Sequence, residues 1–139
     1  AWIKVDDQPG RKVDLTGLFA MMQAETFGGG YRVAPGMQPF GGSASIVLGF
    51  GLSKLQMLRV MGPLEKGRHV GKWGKISMEP CRRFEIKALD SEGNPTDEKG
   101  HEPSLFISLD GEISMTTPVS FEFHEGQLKV RGGLSPPNV

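Results

Sequence analysis

Hydrophobic and polar residues alternate most regularly in the second half of the chain. Phe84, Ile86 and Ala88 take every second position against Arg83, Glu85 and Lys87, the period of a strand with one face buried and one in water. Leu105, Ile107 and Leu109 repeat the pattern, Val119, Phe121 and Phe123 do so against Ser120, Glu122 and His124, and Leu128 and Val130 close the series. Gly93-Asn94-Pro95, Asp110-Gly111 and Glu125-Gly126 fall between these runs. Asp-Gly or Glu-Gly between alternating segments predicts hairpins.

The first half is less regular. Trp2 to Val5 alternates weakly before the turn residues Gln8-Pro9-Gly10. Leu15, Leu18, Phe19 and Met22 recur at helical spacing, with Thr16 in a capping position and Gly28 just beyond. That spacing predicts one short helix near residues 16–27. Residues 28–45 are broken by glycine and proline into a loop, with room for a short strand at Tyr31–Val33. Ile46-Val47-Leu48 reads as a buried strand, and Leu52 to Met61 fits a strand or a short helix. The expected fold is mainly β, an antiparallel sandwich of immunoglobulin-like or jelly-roll-like type. One β-rich domain would occupy residues 1–133, with residues 1–60 either completing the sandwich or forming an N-terminal arm. Residues 134–139 read as a tail or linker.

Composition supports this picture. The chain has 139 residues, enough to bury a core without covalent staples. Its 20 glycines and 10 prolines suit many short strands and tight turns. Cys81 is the only cysteine, which excludes an internal disulfide and a multi-cysteine zinc site and fits an intracellular, reducing compartment. No apolar run approaches the ~18 residues of a membrane span. The chain begins at Ala1 with no signal segment, as a processed protein or an excised domain would.

The formal net charge of +0 argues against whole-molecule attraction to nucleic acid or anionic lipid. It conceals two blocks. Residues 54–87 carry nine basic and three acidic residues, and residues 88–126 carry nine acidic and one basic. Arg59, Lys66, Arg68, Lys72 and Lys75, with Trp73 among them, form a candidate basic surface able to hold phosphates or a single strand. Asp90, Glu92, Asp97, Glu98 and Glu102 form the acidic counterpart, and complementary patches of this kind attract a protein partner or a second copy of the chain.

Catalytic, metal and cofactor motifs do not emerge. His69, His101 and His124 are scattered without the spacing that puts two ligands on one side of an element. Arg82 and Arg83 beside Cys81 would favour a thiolate, yet a small buried residue preceding a strand explains it more simply. Gly49-Phe50-Gly51-Leu52-Ser53-Lys54 lacks phosphate-loop spacing.

Two stretches resemble known families. Val60-Met61-Gly62-Pro63-Leu64-Glu65-Lys66-Gly67, Val70-Gly71-Lys72, Phe84 to Asp90 and Gly93-Asn94-Pro95 resemble the start of a filamin-type immunoglobulin-like repeat over residues 60–109, with an extra segment at Trp73 to Cys81. Leu109-Asp110-Gly111, Thr117-Pro118-Val119 and Gly126 to Gly132 are similar to the last strands of the nucleoplasmin-type β-sandwich over residues 105–133. Both resemblances imply a sandwich that binds macromolecules and is not an enzyme. The expectation is therefore a non-enzymatic structural module that docks a protein partner or self-assembles through strand edges and charged patches. The alternative is a nucleic-acid-binding structural protein using residues 54–87. Neither requires a cofactor.

Overall fold

The computed structural model describes residues 1–15, 17–39, 41–97 and 104–126. Among these the backbone forms nine strands, paired antiparallel throughout, and one α-helix. The fold is thus mainly β and sandwich-like with one short helix. The first sheet contains β1 (Trp2–Val5), β2 (Arg11–Lys12), β6 (Arg83–Lys87) and β9 (Val119–Glu122) in the order β2-β1-β6-β9. The second contains β3 (Leu18–Met22), β4 (Ala44–Gly49) and β5 (Ile76–Cys81), with β4 central. A two-stranded ribbon, β7 (Phe106–Leu109) and β8 (Glu112–Thr116), completes the set.

Alternation along each strand builds two cores. Ile3, Val5, Phe84 and Ile86 of the first sheet meet Ala44, Ile46, Leu48 and Cys81 of the second, and the Phe19 and Phe84 rings lie 5.8 Å apart. On the opposite face of the second sheet, Met22, Val47 and Ile76 pack against Val60 and Leu64 of α1 (Lys54–Glu65). The layers therefore run sheet, sheet, helix, and β4 is buried along its whole length.

This arrangement corrects the helix expected near residues 16–27. Leu18 to Met22 is a strand paired with β4, Phe19 and Met21 facing one core and Leu18, Ala20 and Met22 the other. A strand buried on both faces is apolar at every position, which periodicity does not separate from a helix. Thr16 lies outside the described residues. Tyr31–Val33 is no strand; Tyr31 makes a single bridge to Phe27.

The helix instead occupies the ambiguous stretch. Ser53 Oγ accepts the Gln56 N–H (3.2 Å) and Gln56 Oε1 accepts the Ser53 N–H (3.0 Å), a reciprocal cap for two donors that have no partner within the helix. Gln56, Val60 and Leu64, four residues apart, face inward. Pro63 sits in the last turn and Gly67 takes φ 65 just beyond it, where an added Cβ would also crowd Pro35. The long connection between β3 and β4 is held by the same region: the Arg32 N–H donates to Leu64 O, and His69 Nε2 lies 3.0 Å from Val33 O.

Candidate functional site

Two surfaces carry the chemistry-bearing groups. The first is the β7–β8 ribbon. Asp110 and Gly111 both adopt left-handed φ, 49° and 92°, the geometry of a two-residue hairpin turn whose twist matches its strands. Leu109 pairs with Glu112 across the turn, so the tip presents two exposed carboxylates, Asp110 and Glu112. Large apolar side chains surround them. Phe106 is 70% and Ile113 72% exposed, while Leu105 and Ile107 turn inward onto the core between the sheets.

The second is the outer layer formed by α1 and the turn after it. Arg59 is exposed on the helix, Lys66 caps its C-terminus and Arg68 follows. Lys72 and Trp73 lie in a 3-10 turn, Lys72–Gly74, with Trp73 itself at φ 53 and 45% exposed. Lys75 is a structural clip: its Nζ donates to Gly51 O (2.6 Å) and Gln56 Oε1 (3.3 Å), tying the connection after β4 to the first helical turn.

The acidic residues singled out from sequence are engaged locally. Asp90 Oδ1 accepts the N–H groups of Glu92 (2.9 Å) and Asn94 (2.7 Å), shaping the turn after β6. Asn94 Nδ2 reaches Glu92 Oε2 at 3.4 Å. Asp97 pairs with Lys87 at 2.5 Å, and that hydrogen bond, aided by Glu85, holds the Lys87 ammonium above its ordinary pKa against the opposing effect of burial. Glu98 and Glu102 lie outside the described residues, as does His101.

The remaining titratable candidates do not converge. Cys81 is buried at the end of β5, and desolvation, followed by the nearby Asp6 and Glu79 carboxylates, raises its pKa to about 11; Arg82 and Arg83 do not make it a thiolate. His69 is fully buried and His124 is exposed, 3.9 Å from Glu122. No group of three or more His, Cys, Asp or Glu able to hold a metal occurs among the described residues. Gly49 to Lys54 is the strand-to-helix connection, with Ser53 spent on the cap. Sequence reasoning located the Asp110-Gly111 turn but missed the exposed apolar side chains beside it. Phe106 and Ile113 were readable as apolar, and their exposure was not.

Together these features define a class: an antiparallel sandwich with a helix packed on one sheet, and with functional groups on surfaces rather than in an enclosed pocket. A sequence model of the family described as the YegS C-terminal NAD kinase beta sandwich-like domain matches residues 2–132. The chain belongs to that family. No curated protein and no solved structure matches it.

The family corrects several expectations. The chain is neither a filamin-type repeat nor a nucleoplasmin-type sandwich, and immunoglobulin-like, structural-protein and self-assembly descriptions go with those resemblances. Val60 to Glu65, which resembled the entry to a filamin-type repeat, is the second half of α1. The nucleoplasmin-like stretch, residues 105–133, covers β7, β8 and β9 and ends outside the described residues; hairpin chemistry of its kind recurs across unrelated β-proteins. A domain of a kinase family also overturns the reading as a non-enzymatic docking module, or as a nucleic-acid-binding structural protein, and points to an enzyme.

Proposed function

We propose that the chain forms the β-sandwich part of a kinase that moves the terminal phosphoryl group of a nucleoside triphosphate to a lipid hydroxyl. The β7–β8 hairpin would present the carboxylate that receives the hydroxyl proton. The observation that carries this reading is the family match over residues 2–132. Phosphoryl transfer asks little covalent chemistry of a protein: it needs positioning, charge neutralisation and a group to orient and deprotonate the acceptor. Glu112 is the better candidate for that last role. It opens β8 in ordinary strand geometry with its side chain exposed, whereas Asp110 occupies the left-handed turn position. A lipid acceptor is favoured over a polar one because Phe106, Leu109 and Ile113 expose apolar surface beside the tip, suited to a molecule with a hydroxyl at one end and hydrocarbon at the other.

Nucleotide-dependent phosphate transfer by the protein carrying this chain, measured in parallel on diacylglycerol in mixed micelles and on NAD, tests the reading. Transfer to the lipid is expected. Glu112→Gln should lower kcat by at least about 100-fold with unchanged melting temperature. Transfer to NAD alone would move the acceptor assignment, and full activity of Glu112→Gln would remove the carboxylate role.

A further inference from the structure

The outer face of α1 is apolar where a solvent-facing helix is ordinarily polar. Val60 and Leu64 point into the core, so the outward stripe falls on Leu55, Leu58 and Met61, at successive spacings of three. Leu58 is 72% exposed, and Leu55, Met57 and Met61 are exposed beside it. The stripe continues onto the flanking turns. Phe50, Val70 and Trp73 are also exposed, and the Phe50 N–H donates to Lys75 O, joining the end of β4 to the Trp73 turn.

Charge surrounds this surface with one sign. Between residues 50 and 75 stand Lys54, Arg59, Lys66, Arg68, Lys72 and Lys75 against the single acid Glu65. Lys54, Arg59, Lys66, Arg68 and Lys72 make no ion pair among the described residues; elsewhere Arg11, Arg32, Arg83 and Lys87 are paired, and Lys4, Lys12 and Arg82 are not. Trp73 adds a third observation. A bulky residue at φ 53 is strained, and turn hydrogen bonds from Gly71 to Ile76 O and from Lys75 to Lys72 O hold it there. The backbone thus maintains an unfavourable conformation that keeps an indole at the surface.

We propose that this face is a membrane-docking surface for anionic lipid, with Leu55, Leu58, Met61 and Trp73 entering the interface and the unpaired lysines and arginines meeting headgroups. An apolar stripe rimmed by cations, with an aromatic at its edge, is the composition of a helix lying in the headgroup plane. Unpaired lysines at the rim fit a protein partner less well, because lysine is depleted from protein interfaces. A second copy would bring the same positive charge to the contact. The inference stands apart from the kinase reading, since docking requires neither nucleotide nor catalysis.

Flotation of the 139-residue chain with vesicles of phosphatidylcholine alone, or containing about 30% phosphatidylserine, provides the test. Binding is expected only with phosphatidylserine, and raising the salt to about 0.5 M should weaken it. Leu58→Glu should weaken binding by at least about tenfold and Trp73→Ala by severalfold. Lys4→Glu, a charge reversal on β1 that changes the net charge by more than Leu58→Glu does, should leave Leu58-dependent binding intact. Because Leu58 is exposed, its variant should melt at the wild-type temperature, and circular dichroism checks this. Absence of binding to anionic vesicles would overturn the proposal. So would binding insensitive to Leu58→Glu and Trp73→Ala, or a dimer in light scattering that Leu58→Glu dissociates while vesicles are ignored.

Discussion

His69 is enclosed completely, with 0% of its surface exposed. Val33 O can only accept a hydrogen bond, so Nε2 carries the proton, and Nδ1 has no partner among the described residues. Protonating Nδ1 would place a charge in the interior, and burial accordingly lowers the His69 pKa below 6.5, opposed in part by the bond to Val33. The unfolded chain binds the proton more readily than the folded one. Stability is therefore full above about pH 6.5, falls as pH drops through that value, and levels off once the folded imidazole also protonates. Urea unfolding of wild type from pH 7.5 to 5 should show this decline. His69→Gln, which keeps a donor for Val33 O, should start less stable but follow a flatter profile. Parallel profiles for the two proteins would remove His69 as the cause.

At the scale of elements, α1 depends on its first turn. Its N-terminal turn has no acidic residue to offset the helix dipole, so the Ser53–Gln56 cap bears more of the stabilisation. Ser53→Ala should cost about 1 kcal/mol in urea unfolding and Ser53→Gly a few tenths; equal losses would indicate that the side-chain bond is not the relevant contribution. The cap also marks what was missed: Ser53 and Gln56 form a start signal that went unread, and the apolar positions of Leu52 to Met61 alone left strand and helix open. The strands of the first sheet were readable because β6 and β9 bury one face and wet the other, as Phe84 and Ile86 against Arg83 and Glu85 record. Leu18 to Met22 misled for the opposite reason, being covered on both faces. The site was less legible still. Charge blocks count residues without showing that Asp90 and Asp97 are spent on a turn and an ion pair, or that Lys75 clips the β4–α1 connection to the helix.

Across the whole molecule, β4 is the central strand of its sheet and joins the two cores. Ile46 faces the sheet-to-sheet core and Val47, its neighbour, faces the helix, while pairing to β3 and β5 fixes both edges. Neither core can therefore empty while β4 keeps its place, and the layers should unfold together. The two tryptophans report on opposite sides. Trp2 lies in the first sheet, with Lys87 Nζ 5.2 Å from its ring centre, and Trp73 lies on the helix side. Trp73→Phe leaves the first reporter and Trp2→Phe the second. In urea their fluorescence transitions should coincide with each other and with far-ultraviolet circular dichroism. Ile46→Ala, expected to cost about 3 kcal/mol, should move both reporters by the same amount although it opens only the core remote from Trp73. A Trp73 transition left in place by Ile46→Ala would show that the helix layer folds independently, and that the α1 face is carried by a unit separable from the sandwich.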